Sequence, residues 1–270
     1  VSNNYAMHEN NLLSDDELVA LRKSLGKSGI RTVQESGISY NNITYTGANG
    51  GTFMTYNVNG GKAFTQSGTT VNISQYAGTS PRWAKLFDGD QTGIAVNVST
   101  PVIVNNEDGS YKHTRGGATV LSLDLKNILI SGYKQYELPL TPQEEALGHH
   151  IFRLDAPTIN KAGNKVIIGT WMRKTDPATG KNESSFERLG TKSLVVDYPS
   201  LTNPTIITST VDNGDTSGYR SFNSFLANDG NIYQATQRGT NGSYILRINQ
   251  QNQYDNSYVF SLDAALGVKD

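Results

Sequence analysis

Short apolar runs that end in Asp or Asn recur along this chain. Four of them are Met54–Asn57, Leu121–Asp124, Leu194–Asp197 and Leu246–Asn249. They end at positions 57, 124, 197 and 249, so successive ends are 67, 73 and 52 residues apart. A strand-and-turn unit that returns at such an interval is typical of a small antiparallel sheet repeated along the chain.

Glycine-centred turns support the same repeat. They are Phe87–Asp90 around Gly89, Asn160–Asn164 around Gly163 and Asn228–Asn231 around Gly230. Strand-like runs follow them at Gly93–Val98, Lys165–Arg173 and Asn231–Gln237. The pattern predicts an all-β protein, specifically a β-propeller with about four blade-like repeats near 38–80, 81–150, 151–217 and 218–270. These repeats would form either a small ring or part of a larger ring of seven or eight blades.

Residues 1–37 have a different pattern from the rest. Ser14-Asp15-Asp16-Glu17 is a capping box, and Leu18, Leu21 and Leu25 then recur at helical spacing before Gly26. This predicts one N-terminal helix over about 14–25 in an extension of residues 1–37, followed by a propeller-like domain of residues 38–270. The helix would pack on that domain or dock a partner.

The connections between predicted strands differ in length. Tyr40–Tyr45 and Thr52–Val58 alternate as strands, and variable polar loops are expected at Val104–Gly117, Lys174–Thr191 and Arg238–Gly242. Residues 138–150 form a connection in which Thr141-Pro142 would begin one short helical turn. Variable loops on a repeated frame are where ligand binding is usually found.

Composition excludes several functions. Only 17% of residues are charged and the net charge is -1, so nothing indicates nucleic acid or an anionic membrane as a partner. The chain has no cysteine, which removes disulfides and thiolate catalysis. No apolar run reaches the ~20 residues of a membrane span. The chain opens on Val1 rather than Met, which favours a segment of a longer protein.

Few residues suggest catalysis or metal binding. Familiar nucleophile, zinc and phosphate-loop motifs do not occur. Asp88–Gly93 resembles a calcium loop but lacks the later acidic ligand, so a plain turn is favoured. His149 and His150 are adjacent and would point to opposite faces of a strand, one packed and one exposed. No metal site and no cofactor are therefore predicted.

Cationic and aromatic residues beside the predicted strand ends are the main candidates for a binding site. They are Arg82, Trp83, Arg115, Trp171, Arg173, Tyr219, Arg220 and Arg238. Equivalent positions of successive propeller blades converge on one surface, where arginine binds oxyanions and aromatic rings offer flat apolar faces. Together they would suit an anionic, aromatic or glycan-like ligand. The competing interpretation is scattered surface arginine with aromatic rings that pack between blades.

The C-terminal part of the chain resembles a known family. Asn228–Gln237, Ser243–Asn249 and Tyr258–Gly267, with Ser217–Ser221 before them, resemble a Bacteroidetes envelope family of β-propeller lipoproteins. The family is largely of unknown function and includes a surface lipoprotein that binds foreign iron-siderophores. The resemblance is clear over about 151–270 and thinner over 38–150. It implies a protein at the outer membrane and cell surface, held by a lipid anchor on an N-terminal cysteine that this chain does not contain.

Three functions remain as hypotheses. The first is a non-enzymatic binding protein that captures a small extracellular ligand, such as a ferric catecholate siderophore or a glycan, for an outer-membrane transporter. The second is a propeller enzyme acting on polysaccharide or a lactone, which would need paired carboxylates. The carboxylates available to it are Asp155, Asp176, Glu187 and Asp215. The third is an interaction scaffold that docks a partner through the N-terminal helix.

Overall fold

The computed structural model describes residues 29–35, 39–40, 43–44, 52–58, 64–73, 75–76, 81–86, 91–183, 185–218 and 223–268. Strands account for 51% of the structure and helices for 5%, which confirms the all-β class. The helix predicted at 14–25 and the turn predicted at Phe87–Asp90 lie outside these residues. Among the helices described, none is both long enough and apolar enough to cross a membrane.

The structure has two compact units. The first contains the described residues up to Pro81 with those of Lys85–Gly93 and Ser122–Ser131, and the second contains Arg82–Ala84, Ile94–Leu121 and the described residues from Gly132 onward. The earliest strands are β1 (Gly29–Glu35), β2 (Ser39–Tyr40), β3 (Ile43–Thr44), β4 (Thr52–Val58) and β5 (Phe64–Asn72). Sheet I has the order β1-β4-β5, and β2 pairs with β3. The described residues of the run predicted at Tyr40–Tyr45 thus belong to two short antiparallel strands rather than to one strand.

Sheet II is a four-stranded sheet with a hairpin inserted in its sequence. The next strands are β6 (Arg82–Lys85), β7 (Thr92–Val98), β8 (Val102–Asn105), β9 (Tyr111–Arg115), β10 (Gly117–Asp124) and β11 (Leu129–Glu137). Sheet II has the order β11-β10-β7-β6, while β8 and β9 pair only with each other. The Val104–Gly117 loop prediction is thus wrong over most of its length. The two strands close on a tight turn in which Asn106 N donates to Ser110 O at 2.7 Å and Gly109 has a φ of 83°.

Sheet III follows a short helix. Its elements are α1 (Pro142–Ala146), β12 (His149–Leu154), β13 (Thr158–Ile159), β14 (Lys165–Thr175), β15 (Asn182–Glu183), β16 (Thr191–Asp197) and β17 (Thr205–Ser209). The main order is β12-β14-β16-β17, with β13 and β15 also paired to β14. The Thr141 side chain accepts from the Glu144 amide in a capping box, which confirms the helical turn predicted there. The predicted connection is shorter than expected, since its last two residues already belong to β12.

Sheet IV completes the described chain. Its elements are β18 (Ser224–Leu226), β19 (Ile232–Ala235), β20 (Tyr244–Ile248), β21 (Tyr254–Ser261) and α2 (Leu262–Leu266). The strands lie in sequence order, β18-β19-β20-β21, and each pair is antiparallel. The run predicted at Asn231–Gln237 is a strand only over β19.

The repeated Asp and Asn have a local structural role. β10 ends at Asp124, whose Oδ1 accepts from the amides of Lys126 and Asn127 at 2.9 and 3.0 Å. Asn249 follows β20, and its Oδ1 accepts from the amides of Gln251 and Gln253 at 3.0 and 3.1 Å. In each place the side chain closes the turn that starts the next strand, which explains why these residue types recur.

Sheets III and IV pack together through a mixed core. Its apolar part is Ile167, Val195, Ile207, Ile232 and Ile248, with Leu226 and Tyr254 packed against it. The Tyr254 hydroxyl donates to Gln234 Oε1 at 2.7 Å and lies 2.8 Å from Ser193 Oγ. Gln234 Nε2 donates to Ser193 Oγ at 2.9 Å, so the three polar side chains satisfy one another inside the core.

Candidate functional site

Trp171 lies at the centre of the candidate site, on β14. Side chains alternate between the two faces of a strand, so Trp171 and Arg173 share one face while buried Met172 points to the other. The guanidinium carbon of Arg238 lies 3.9 Å from the centroid of the Trp171 ring. Three of the residues predicted from the sequence are therefore part of one group.

A β-bulge in β12 adds two residues that the sequence did not indicate. Ile151 pairs with Met172 and Arg153 pairs with Trp171, which leaves Phe152 as the extra residue. A bulge sets two consecutive residues against one on the partner strand and re-aims their side chains. The Phe152 ring meets the Trp171 ring edge-on, with the centroids 5.6 Å apart and an interplanar angle of 86°.

Three guanidiniums lie against these two rings. Arg173 lies 3.5 Å from the Phe152 centroid, and Arg153 lies 5.0 Å from Phe152 and 5.3 Å from Trp171. Each distance is within the ~6 Å at which a guanidinium is attracted to an aromatic ring. The two rings and three arginines together form the aromatic platform: Phe152, Arg153, Trp171, Arg173 and Arg238.

Arg173 has no carboxylate partner among the described residues. Its Nε is buried without a hydrogen-bond partner, while Nη1 donates at 3.1 Å to the side-chain oxygen of Asn182 in the amide orientation that also satisfies Lys174 O. Burial lowers the pKa of Arg173, and the charge of nearby Arg153 lowers it further. A negative charge bound beside Arg173 would favour the charged form of the guanidinium and so oppose this lowering of its pKa.

Asp215 holds Arg238 in place on the platform. The carboxylate is buried and accepts from Arg238 Nε at 2.9 Å, and it lies 2.7 Å from Arg188 Nη2. It also accepts from Arg188 Nε at 2.9 Å and from the Met172 amide at 3.0 Å. Burial raises the pKa of the Asp215 carboxyl, and Arg188 and Arg238 oppose that rise. Arg238 is therefore held by an internal acid, whereas Arg173 is not.

Arg115 is engaged elsewhere. Its Nε and Nη2 donate to the two oxygens of Glu145 at 2.8 and 3.1 Å, and its Nη1 donates to Glu137 at 3.2 Å. The hydrogen bond to Glu145 raises the pKa of Arg115. This ion pair joins β9 to α1, so the described contacts give Arg115 a structural role.

Arg82 is also paired with an internal acid. Its Nη2 lies 3.0 Å from Asp155 Oδ1, and Nη1 donates to Gly218 O at 3.0 Å. Burial raises the pKa of Asp155 to about 6, although Arg82 opposes the rise. Trp83 lies half-buried on β6. No described contact joins these residues to Trp171, and the candidates Tyr219 and Arg220 lie outside the described residues.

Both histidines of the pair are buried, so the prediction of one exposed ring is wrong. His149 and His150 are 2% and 3% exposed, because β12 is covered on both faces at its start. His149 packs against Phe186 with the ring centroids 4.7 Å apart and the planes tilted by 55°, and His150 Nδ1 lies 3.2 Å from Gly148 O. Burial lowers the pKa of His149 to about 4 and also lowers that of His150. Within the described residues, no three His, Asp or Glu side chains are grouped so that they could hold a metal ion.

The four carboxylates considered for catalysis have different environments. Asp155 and Asp215 are buried, and each lies against arginine. Asp176 accepts from the Ala178 amide at 2.8 Å in a turn, and Glu187 is exposed. No described contact pairs any two of them.

Comparison with known proteins adds no family assignment. No protein-family model matches this chain, and no curated protein matches it.

Proposed function

We propose that this protein is a non-enzymatic binding protein that captures a small anionic ligand on the aromatic platform. The observation that carries the proposal is Arg173, a partly buried cation that lies on Phe152 without a carboxylate partner among the described residues. Beside it, Phe152 and Trp171 offer apolar rings at right angles. Charge and flat apolar surface together favour a ligand that carries both oxyanions and aromatic groups.

A ferric catecholate siderophore is the ligand that we propose within this class. It is a polyanion built from aromatic rings, so it complements both parts of the platform. The resemblance of residues 151–270 to the envelope lipoprotein family supports the same ligand class. On this proposal the protein works at the cell surface or facing the periplasm, through a lipid anchor outside this chain, and delivers the ligand to an outer-membrane transporter.

The proposal includes a β-propeller frame. Sheets II, III and IV each have a four-stranded path whose strands are taken in chain order, as in propeller blades, with the β8–β9 hairpin inserted in sheet II and the short β13 and β15 added to sheet III. Repetition of this kind supports the interpretation of each sheet as a blade. In such a frame, a site assembled from β12, β14 and the segment after β19 would lie where neighbouring blades meet.

A binding titration of the intact protein tests the function. Ferric catecholate, a ferric hydroxamate and a panel of glycans would be compared by calorimetry and by intrinsic tryptophan fluorescence. Saturable binding of the ferric catecholate alone is expected, with the Trp171 fluorescence change lost in Trp171→Phe. Turnover of any polysaccharide or lactone would instead support the enzyme hypothesis.

Arg173→Ala is the variant that connects this binding to the platform. We expect it to weaken binding about tenfold or more, since hydrogen bonds between charged groups contribute roughly 1.5–3 kcal/mol. Arg247→Ala is the matched control, because Arg247 also lies over a ring, 4.7 Å from Tyr258, but pairs with Asp255. Equal affinity of Arg173→Ala and the wild-type protein would show that the platform is not the binding site.

A further inference from the structure

Two Asn-Gly dipeptides lie in the described part of the chain, Asn213-Gly214 and Asn241-Gly242. A glycine after an asparagine has no Cβ to hinder the approach of its backbone nitrogen to the side-chain carbonyl carbon of that asparagine. Attack by this nitrogen closes a cyclic imide and expels ammonia. The reaction requires that the structure leave both the side-chain amide and the glycine nitrogen free to meet.

Asn213 is held away from this reaction. Its Nδ2 donates to Thr240 Oγ1 at 2.8 Å and to Arg188 O at 3.1 Å, and its Oδ1 accepts from the Thr240 amide at 2.8 Å. Gly214 is buried, and a Cβ placed on it would lie 2.9 Å from Thr236 Cβ. Three hydrogen bonds must therefore break before the Asn213 side chain can turn towards the Gly214 nitrogen.

Asn241 has the same neighbour but a different environment. It is exposed in the turn before β20, and its side chain forms no hydrogen bond with any described residue. The hydrogen bond described at this residue goes to its main-chain oxygen, which accepts from the Tyr244 hydroxyl at 3.2 Å. Within the described structure the Gly242 nitrogen donates to no acceptor. Both reacting groups are thus available.

The fold requires glycine at position 242. Its φ of 101° lies in the left-handed region, and a Cβ placed there would overlap the carboxylate of Asp263. Asp263 Oδ1 also accepts from the Ser243 amide at 3.3 Å, so this carboxylate is fixed beside the turn. A side chain at 242 would meet both backbone strain and this overlap, so the geometry of the turn itself keeps glycine after Asn241.

We propose that Asn241 is a site of spontaneous deamidation in the folded protein. The Gly242 nitrogen bonds to Asn241 Cγ, the Cγ–Nδ2 bond breaks, and ammonia leaves with the proton that the nitrogen gives up. Water then opens the imide, which gives aspartate when one carbonyl is attacked and isoaspartate when the other is. Either product adds a carboxylate to a chain whose net charge is -1. Isoaspartate also lengthens the backbone of the turn that joins Arg238 of the aromatic platform to β20.

Peptide mapping by mass spectrometry after incubation of the intact protein at mildly alkaline pH tests this proposal. Trypsin cleaves after Lys192, Arg220, Arg238 and Arg247, so Asn213 and Asn241 fall in different peptides, 193–220 and 239–247. We expect Asn241 to convert about tenfold or more faster than Asn213, because the hydrogen bonds of Asn213 must break first. Labelling by an isoaspartyl methyltransferase should appear in peptide 239–247. Equal rates at the two sites, or a faster rate at Asn213, would overturn the proposal.

The same incubation in urea separates structure from sequence. Unfolding removes the hydrogen bonds of Asn213, so the two Asn-Gly sites should then convert at similar rates. A difference that persists in urea would show that the folded structure does not select Asn241.

Asn241→Gln is the variant that assigns the reaction to this residue. It keeps an amide but would have to close a larger ring, so peptide 239–247 should no longer gain a carboxylate while conversion at Asn213 stays unchanged. A continued gain in that peptide would overturn the assignment. Ligand binding at the aromatic platform is a separate measurement, so either proposal can fail alone.

Discussion

The guanidinium carbon of Arg238 lies 3.9 Å from the centroid of the Trp171 ring. The same guanidinium donates from Nε to Asp215 at 2.9 Å, so it is held by a ring on one side and by a buried acid on another. Arg173 has a ring contact but no such acid among the described residues. The two arginines therefore have different roles. Arg238 makes the platform rigid, and Arg173 supplies a charge that a ligand can pair with.

Asp215→Asn should lower stability strongly. It would leave Arg188 and Arg238 without their shared acid, and breaking a buried ion pair from one side costs about 3–5 kcal/mol. Urea unfolding monitored by circular dichroism would measure the loss. Asp255→Asn is the control, since the Asp255 side chain is 25% exposed against 1% for Asp215, and loss of its ion pair should cost much less. Similar losses for the two variants would contradict the anchoring role of Asp215.

Acidification should destabilise the protein through His149. Its pKa is about 4 in the folded protein and 6.5 in the unfolded chain, so between these values the unfolded chain binds the proton first. This contribution is intact above pH 6.5 and is lost as the pH falls towards 4, to a total of roughly 3 kcal/mol. Urea unfolding at pH 7.5 and 4.5 should show a smaller acid loss in His149→Gln than in wild type. An identical loss in both would exclude His149 as its source.

Asp155 should contribute with the opposite sign. Burial raises its pKa to about 6 from 3.8, so the folded protein keeps the proton longer as the pH rises. Stability from this carboxyl is present below pH 3.8 and is lost by about pH 6, a change on the order of 3 kcal/mol. The stability of wild type relative to Asp155→Asn should therefore fall between pH 4 and 7. A constant difference over that range would show that Asp155 titrates normally.

Gly148→Ala should be far more damaging than Gly180→Ala. Both glycines have a left-handed backbone, with φ of 82° and 67°. A Cβ on Gly148 would lie 1.8 Å from Thr175 O, whereas a Cβ on Gly180 would meet nothing within 4 Å. Gly180→Ala should cost only about 1 kcal/mol of backbone strain, while Gly148→Ala must displace β14. Thermal unfolding of the two variants would compare them, and equal Tm values would contradict the close approach at Gly148.

Local signals in the sequence predicted much of the framework. Turn-closing side chains such as Asp124 and the cap at Thr141 act within a few residues, so sequence alone located them. The β8–β9 hairpin was not predicted because neither Val102–Asn105 nor Tyr111–Arg115 alternates between apolar and polar residues. The burial of His149 was not predicted for another reason, because the faces of β12 are covered by residues distant in the chain.

The candidate site was predicted only in part. Trp171, Arg173 and Arg238 were chosen for their chemistry, and the structure groups them. Phe152 and Arg153 join them through a bulge, which depends on strand pairing rather than on residue type. Arg82 and Arg115 have the same chemistry as Arg173, but each forms an ion pair with an acidic side chain of the protein. No sequence pattern distinguishes an arginine that is paired in this way from one that is not.

The contact between Ser193 and Tyr254 has a consequence for how the chain assembles. Sheet IV forms entirely within Ser224–Ser261, so its backbone partners meet after closure of short loops. Ser193 and Tyr254 are 61 residues apart, and their contact can form only once sheets III and IV have docked. Early folding can thus proceed sheet by sheet, and the slower step is the docking that brings these hydroxyls and Gln234 into register. Docking in a shifted register would leave these polar groups unsatisfied in the core, so the network selects one alignment of the two sheets.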